Sequence, residues 1–317
     1  MIQKGISVVV CCYNSSLLLP ETLKHLALQK LVEDIPWEVI IVNNASFDNT
    51  EEAAFNEWSK YNASAGFKVV SEQEEGIIYA RKKGLSFARY EYILFCDDDN
   101  WLQNDYLEKA FQLMEKLPDA GALGGCSEVV TDGLLPEWWE ENKNSFAVGT
   151  QAVKSGDVTQ RGYLWGAGLI TRKIILDSVF DSRYPFILSG RKGNQVISGD
   201  DSEICSRIIL LGWKLYYHED LNFKHFLPKE RLTDEYRDKL IAGFESTYGI
   251  QKKYKLAIEL VFTPLINKIT ISIKKIAVLF WSKFDKRKVD LLKAHFLFAF
   301  GFRFVTDRDY LLIYKFA

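Results

Sequence analysis

The chain has 317 residues, of which 48% are hydrophobic, enough for one large or two ordinary domains with a substantial core. Its net charge of −2 is unevenly distributed, because residues 252–317 hold 14 of the 40 Lys and Arg but only 5 of the 42 Asp and Glu. An acidic body with a basic, aromatic tail argues against nucleic-acid binding and favours a tail that meets an anionic surface, most commonly a membrane.

The cysteines and the N-terminus indicate the compartment. Five cysteines stand in apolar runs without CxxC pairs or Cys/His ligand spacing, which predicts reduced core residues in a cytosolic protein: Cys11, Cys12, Cys96, Cys126 and Cys205. The N-terminus enters a strand pattern without the features of a signal peptide, and no apolar stretch reaches the roughly 18 to 20 residues of a spanning helix. We expect a cytoplasmic protein, peripheral on the inner face of the membrane.

Strands and helices alternate along the first hundred residues. The β-branched run at 6–12 predicts a strand, and the following periodic leucines predict a helix that Asn14 and Ser15 are suited to cap. The segments "WEVIIVNN", "FKVVSE" and "YEYILFC" predict further strands, separated by the helical segments "SFDNTEEAAFNEW" and "GIIYARKKGLSFAR". This alternation is typical of a doubly wound, mostly parallel α/β sheet, which binds ligands at the carboxyl ends of its strands.

The alternation weakens from about residue 120. Loops around a short strand are predicted for "PEWWEEN" and "RGYLWGAGLITRK", a loop and helix for "GDDSEICSRIILLGW", and a strand and turn for "KLYYHEDLNFKHFLP". Long helices with basic clusters fill the last 65 or so residues. We predict a catalytic domain over 1–250, with halves at 1–118 and 119–250, followed by a basic amphipathic helical tail over 251–317.

Three adjacent carboxylates, Asp97, Asp98 and Asp99, directly follow the predicted fourth strand in "FCDDDNW". Like charges at this range repel and raise one another's pKa, so the cluster favours a bound cation, and hard divalent cations prefer carboxylate oxygens. An EF-hand is excluded, because the Gly and closing Glu of that loop are missing. The alternative is a solvated loop whose charges cap the next helix.

Five ordered segments carry a resemblance to a known family: "ISVVVCCYN", "WEVIIVNNASFDNT", "EGIIYARKKG", "YILFCDDDN" and "GDDSEICSRIILLGW". In order and spacing they resemble family 2 glycosyltransferases with the GT-A fold, over roughly residues 5–230. The resemblance implies a doubly wound sheet of nucleotide-binding type with a C-terminal helical extension. It also implies inverting transfer of a sugar from a nucleotide-sugar donor to a hydroxyl of a glycan or lipid-linked acceptor, in surface polysaccharide biosynthesis.

The resemblance further implies roles for individual residues. The residues matching the donor-binding positions are Tyr13, Asn14, Asn43, Asn44, Asp48, Arg81, Asp97 and Asp98. Asp99, Asp97 and His225 match positions near a divalent metal, Mn²⁺ or Mg²⁺, on the diphosphate. Two departures from the family pattern are the Asn43–Asn44 pair, where aspartates are common, and Lys82, where Asn is usual. The nucleotide base therefore stays open.

The acidic pair of "SGDDSE" matches the family's Glu-Asp pair, whose second member, here Asp201, is the catalytic base. Asp200 and Trp165 are assigned to the acceptor side. We also expect this pair to cap the following helix, with Glu203 at capping-box distance. Core packing explains Trp165 as well as sugar binding does, and a position on a helix surface explains Arg81 as well as donor binding does.

An apolar stripe recurs at helical spacing in the tail, through Phe262, Ile266, Ile269, Ile273, Ile276, Phe280 and Phe284, with lysines off that face. It predicts a basic amphipathic helix of the kind used at membrane surfaces. A helix packed on the catalytic domain is the alternative.

Two other functions compete with glycosyl transfer. A phosphohydrolase of the haloacid dehalogenase type also has a DxD after a strand, but it needs Thr or Val after the second aspartate, where Asn100 stands, and it uses the first strand. A non-catalytic carbohydrate-binding relative would not need both the aspartate cluster and Asp201.

Overall fold

The computed structural model describes residues 2–32, 35–191, 198–281 and 285–317. Within these ranges the strands are β1 (Gln3–Cys12), β2 (Trp37–Asn44), β3 (Gly66–Glu72), β4 (Tyr90–Asp97), β5 (Asn100–Leu102), β6 (Ala120–Val130), β7 (Gly156–Asp157), β8 (Leu169–Arg172) and β9 (Lys214–Phe226). The helices are α1 (Leu19–Ala27), α2 (Thr50–Trp58), α3 (Ile77–Phe87), α4 (Tyr106–Lys116), α5 (Trp139–Asn142), α6 (Lys173–Val179), α7 (Asp200–Leu210), α8 (Asp234–Phe262), α9 (Leu265–Trp281), α10 (Lys286–Phe300) and α11 (Arg308–Phe316).

One twisted sheet organises the described part of the chain, in the order β3-β2-β1-β4-β8-β6-β9-β5, with β7 paired to β9. The first four strands in this order are mutually parallel, and β8 joins β4 in the antiparallel direction. The chain winds outward from β1 to β3 and then returns to place β4 on the other side of β1. The strand order therefore reverses between β1 and β4, which is where open α/β sheets bind ligands.

Helices cover both faces of the sheet, which explains why its central strands read as continuous apolar runs. One core includes Leu23 of α1, Met114 of α4 and the side chains of β1 that face them. The other core lies under α3, α6 and α7. Gly84 brings α3 close to the sheet, because a Cβ there would lie 2.3 Å from a methyl carbon of Val9.

The C-terminal helices pack on the body and on one another. Tyr254 of α8, Phe298 of α10 and Ile313 of α11 are buried in a cluster that also includes Leu210 of α7. The predicted boundary at residue 250 falls inside α8, whose first half lines a large cleft. The tail therefore continues structurally from the catalytic domain.

The predicted strands and the doubly wound fold are confirmed, whereas three local predictions are wrong. Leu18, and neither Asn14 nor Ser15, is the N-cap of α1. The segment "PEWWEEN", predicted as a loop, contains the short helix α5. Gly199 is the N-cap of α7, and no side chain caps that end, so the predicted capping box is absent. Glu203 instead accepts the backbone N–H groups of Ile187 and Leu188.

All five cysteines are free thiols, and four of them are buried, as predicted. In the tail, most of the predicted apolar stripe is on α9, and its last member, Phe284, lies outside the described residues. Among the described helices, none combines the length and the apolar character that crossing a membrane requires.

Candidate functional site

A cleft of about 1070 Å³ opens at the carboxyl ends of β1 and β4. The parallel register sets Cys11 of β1 beside Asp97 of β4, so both strands end at the same edge of the sheet. Most of the predicted site residues line this cleft: Tyr13, Asn44, Arg81, Asp97, Asp98, Asp99, Trp165, Asp200, Asp201 and His225. Residues separated by up to 212 positions in sequence are thus brought into one cavity.

The three adjacent carboxylates lie at the end of β4 (Asp97) and in its two-residue connection to β5 (Asp98 and Asp99), and they have different partners. Ser15 donates a short hydrogen bond to Asp98. Asp99 is only 3% exposed; one of its oxygens lies 2.7 Å from an Arg231 guanidinium nitrogen and the other lies 3.4 Å from Nε2 of His225. Asp99 therefore has an arginine and a histidine as partners within the protein, and Asp98 has a neutral hydroxyl.

The pKa values of these carboxyls diverge accordingly. Burial, followed by the charge of Asp99, raises the pKa of Asp97 and raises that of Asp98 to about 7. Burial acts on Asp99 in the same direction, but His225 and Arg231 outweigh it and hold the pKa of Asp99 well below its usual range. Neighbouring protein groups thus outweigh burial at Asp99 but not at Asp97 or Asp98.

The donor set suits a hard divalent cation, because buried carboxylate oxygens and an imidazole nitrogen are suitable ligands for Mg²⁺ or Mn²⁺. Nδ1 of His225 is buried and lacks a hydrogen-bond partner, so this ring has an unused polar atom. Over the described ranges, no three His, Cys, Asp or Glu side chains already form a ligand cluster. The residues therefore fit a metal chemically, and its binding would require side chains such as Arg231 to move.

The acidic pair at the start of α7 forms a second charged group in the cleft. Asp200 forms a buried ion pair with Arg81 of α3, at 2.5 Å between Oδ2 and Nη1. Asp201 is partly exposed, and burial together with the charge of Asp200 raises its pKa to about 6, against the opposing charge of Arg81. A carboxyl with this pKa is largely ionised at neutral pH yet remains able to take up a proton.

Arg81 is packed between the Phe95 ring and Gly166. Its guanidinium lies over the Phe95 ring at 5.1 Å from the centroid, and a Cβ at Gly166 would approach its Nη2 to 2.4 Å. The surface alternative for Arg81 is thereby excluded, since the residue is 4% exposed. Asp200, predicted on the acceptor side, directs its carboxylate to Arg81.

Three predicted donor-binding residues do not line the cleft. Asn14 accepts a hydrogen bond from the backbone N–H of Phe47, and Asn43 accepts one from that of Ser46. Asp48 accepts the backbone N–H groups of Ser16 and Thr50. Asn14 and Asp48 therefore connect the loops that follow β1 and β2, and Asn43 supports the second of these loops.

Trp165 lines the cleft but is only 6% exposed, and its backbone N–H donates to Gln151. Its indole therefore mainly packs against other residues in the wall of the cleft.

Sequence reasoning missed Arg191 and Arg231, which add positive charge to the cleft, and all of the residues that α8 contributes to it. The basic segment after His225 was the only available signal for Arg231.

The fold and site together are those of a GT-A protein: a doubly wound sheet with acidic groups grouped at its switch point. Residues 7–180 match the family described as "Glycosyl transferase family 2". This match covers more than half of the chain, and the protein belongs to that family.

Curated relatives match parts of the chain. A putative glycosyltransferase EpsH of Bacillus subtilis is 35% identical over 33% of this chain and 29% of its own length. A poly-beta-1,6-N-acetyl-D-glucosamine synthase of Staphylococcus epidermidis is 25% identical over 67% of this chain and 46% of its own. A glucosyl-dolichyl phosphate glucuronosyltransferase of Haloferax volcanii is 25% identical over 71% of this chain and 70% of its own. The chain thus spans less than half of the first two relatives.

Solved structures of S. aureus TarS share the fold. The 1–349 fragment in complex with UDP has a TM-score of 0.52 and 16% identity, over 92% of this chain and 90% of that one. The same fragment in complex with UDP-GlcNAc has a TM-score of 0.52 and 19% identity, over 82% and 73%.

Proposed function

We propose that the protein is an inverting glycosyltransferase that moves a sugar from a nucleotide-sugar donor to a hydroxyl of a glycan or lipid-linked acceptor, in surface polysaccharide biosynthesis. The observation that carries the proposal is the pairing of two acidic groups in one cleft. One, at Asp97–Asp99, gathers three carboxyls whose oxygens suit a cation, and the other presents Asp201 with a pKa of about 6.

Asp201 acts as the general base in this proposal. It accepts the proton of the acceptor hydroxyl as that oxygen forms a bond to the anomeric carbon, while the bond from that carbon to the diphosphate oxygen breaks on the opposite face. General-base catalysis contributes roughly 10² to 10⁴ in rate, and it is most effective when the base has a pKa near the working pH. The position of Asp201 in the first turn of α7 also favours its negative charge before the proton arrives.

Asp97, Asp99 and His225 would hold a divalent metal, Mn²⁺ or Mg²⁺. When bound, such an ion neutralises charge on the departing diphosphate without proton transfer. Arg191 and Arg231 line the same cleft and add positive charge for the phosphates. Tyr13 and Asn44 border the cleft at the loops expected to hold the base and ribose, with Asn14, Asn43 and Asp48 supporting those loops.

A glycan or lipid-linked acceptor is supported by the names of the relatives, which include a polysaccharide synthase and a dolichyl phosphate enzyme. Peripheral attachment to an anionic membrane surface is supported by α9. Only Ser272 and Leu279 are buried among its residues, whereas Ile266 and Ile273 are 70% and 63% exposed. The helix contains Lys268, Lys274 and Lys275 and no acidic residue.

A ligand panel tests the proposal. UDP-, GDP-, dTDP- and CMP-sugars are added with and without Mn²⁺, and the melting temperature is measured, because a ligand that binds only the folded state raises it. We expect one nucleotide class to stabilise the protein in a Mn²⁺-dependent manner and its sugar to be released slowly to water. If no nucleotide-sugar raised the melting temperature or were hydrolysed, while phosphate monoesters were, the phosphohydrolase alternative would replace the proposal.

A further inference from the structure

The first half of α8 forms a wall of the cleft that no sequence motif indicated. Its residues Tyr236, Leu240, Phe244, Tyr248 and Gln251 recur every three or four positions and all line the cavity. Residues with this spacing share one face of a helix. One continuous face of α8 is therefore turned towards the site.

The contacts of α8 show how this face is oriented along the cleft. Near its start, Tyr236 lines the cavity together with Arg231, the partner of Asp99. Eleven residues later, Thr247 is buried against Gly199, where a Cβ would lie 3.3 Å from the threonine methyl carbon. At 1.5 Å per residue these points are about 16 Å apart. The wall therefore runs from the carboxylate cluster to the Asp201 end of the cleft.

The Asp201 end of the wall carries partly exposed aromatic rings, and a cation lies over one face of two of them: Lys252 Nζ is 4.2 Å from the Tyr248 centroid, and the Arg161 guanidinium carbon is 4.3 Å from the Tyr163 centroid. Phe244 is 38% exposed and Tyr248 is 58% exposed, although both line the cavity. Tyr163, from the loop before β8, lines the same cavity and is 38% exposed. Glu245 and Gln251 stand among them with carboxylate and amide groups. Monomeric proteins rarely expose such clusters without a binding role.

The chemistry of this surface selects one class of occupant. Flat aromatic faces accept the C–H groups of a sugar ring, while carboxylate and amide oxygens accept its hydroxyl protons. A lipid chain would leave these polar groups unpaired. A saccharide ring satisfies both parts of the surface.

We propose that Phe244, Tyr248, Glu245 and Gln251 of α8, together with Tyr163, bind the saccharide ring of the acceptor and direct its hydroxyl to Asp201. This assignment rests on the proposed glycosyltransferase function and specifies its acceptor subsite. The opposite end of this face of α8, near Asp97–Asp99, then borders the donor.

The test uses the full chain, Mg²⁺ and the donor found by the panel, with methyl β-glycosides of glucose, galactose and N-acetylglucosamine and their decyl analogues as acceptors. Transfer and hydrolysis of the donor are measured together for the wild type, Phe244→Ala and Tyr248→Ala. Phe87→Ala is the matched control, because Phe87 is 43% exposed at the end of α3 and does not line the cleft. Saturation-transfer NMR records which acceptor protons contact the protein.

We expect both α8 variants to lower the ratio of transfer to hydrolysis at least tenfold and to raise the acceptor KM, while Phe87→Ala keeps the wild-type ratio. Saturation should reach the ring protons in the wild type and be lost in Tyr248→Ala. Wild-type ratios in both α8 variants, or saturation confined to the decyl chain, would overturn the acceptor assignment and leave the transferase proposal standing. A wild type that neither binds nor cleaves any donor would defeat the transferase proposal itself.

Discussion

At the residue scale, the carboxyls of the cleft differ in the direction in which the protein shifts their pKa. Asp97, Asp98 and Asp201 are shifted upward, so the folded protein disfavours their charged forms, whereas Asp99 is shifted downward by His225 and Arg231. A shift upward means that ionisation costs stability, and a shift downward means that it adds stability. Ionisation of Asp97, Asp98 and Asp201 therefore lowers the stability of the folded protein, and such pKa shifts are typical of functional sites.

Asparagine substitutions at Asp97 and Asp99 should have opposite effects on stability at pH 7. Asp97→Asn removes a disfavoured charge, and we expect the melting temperature of the metal-free protein to rise or stay level. Asp99→Asn leaves Arg231 without its buried partner, and we expect a loss of about 3 kcal/mol. Thermal melts in the presence of a chelator measure both, and Mn²⁺ titration should show that each variant loses the metal-dependent stabilisation. Equal destabilisation by the two substitutions would contradict the charge assignment.

Asp201→Asn separates binding from chemistry. The amide is nearly isosteric but cannot accept a proton, so we expect unchanged donor affinity and a loss of transfer of roughly 10² to 10⁴. In the wild type, transfer should fall about tenfold per pH unit below pH 6, where Asp201 becomes protonated. Stability should behave in the opposite way: wild-type stability relative to the variant declines as pH rises from about 4, the ordinary value, towards 6. Loss of donor binding with transfer per bound donor intact would reassign Asp201 as a binding residue.

At the element scale, the sequence predicted the strands well and the helical walls poorly. Strands such as β2 have both faces buried, so burial dictates an apolar run that is visible in the sequence. The strand-end aspartates were also visible, because a charged cluster directly after such a run has few structural explanations. The contribution of α8 to the cleft could not be predicted, since aromatic residues such as Phe244 and Tyr248 are equally typical of a helix that only packs on a core. Glu203 was misread because its distant partners, Ile187 and Tyr254, outweigh the local capping pattern.

The Arg81–Asp200 pair joins α3 to α7, and we expect it to position Asp201. Arg81→Gln removes a positive charge that lowers the pKa of Asp201, so the acid limb of the pH profile should move to higher pH. The double variant Arg81→Gln/Asp200→Asn removes the unpaired Asp200 charge as well, and the limb should return towards the wild-type position. pH–rate profiles of the three proteins measure this. If Arg81 instead bound the donor phosphates directly, both variants would have a weakened donor affinity, and the acid limb of the double variant would not return towards the wild-type pH.

At the scale of the whole molecule, the C-terminal helices support the site. Tyr254 of α8 donates a hydrogen bond to Glu203 at 2.7 Å, and the Phe316 ring lies 5.0 Å from the Arg207 guanidinium. Arg207 also donates to the carbonyls of Tyr184 and Pro185, in the segment that leads to Arg191. The tail is thus connected through buried groups to the loop that borders the cleft.

Removal of residues 251–317 should therefore destabilise the catalytic body. The deletion removes Tyr254 from Glu203, Phe316 from Arg207 and the apolar cluster that covers Leu210, and we expect insoluble protein or a large fall in melting temperature. Tyr254→Phe is the milder variant. It removes the hydroxyl that donates to Glu203 and should lower the free energy of unfolding by about 1 to 3 kcal/mol. Thermal melts compare the three proteins. A truncated chain that melts at the wild-type temperature would show that the tail is an independent unit.

Because we expect truncation to disturb the fold, membrane attachment is better tested by substitutions on the exposed face of α9. We predict that the full chain binds vesicles of three parts phosphatidylcholine to one part phosphatidylglycerol. Salt should weaken this binding, since charge attraction is screened over roughly 10 Å at 0.1 M. The double variant Ile266→Ser/Ile273→Ser removes two exposed isoleucines, each contributing about 1.5 to 3 kcal/mol if fully buried in lipid, so partitioning should fall at least tenfold. Ile174→Ser is the matched control, because Ile174 is also 63% exposed but lies on α6. Vesicle co-sedimentation measures the partitioning, and equal binding by the double variant and the control would show that α9 does not contact lipid.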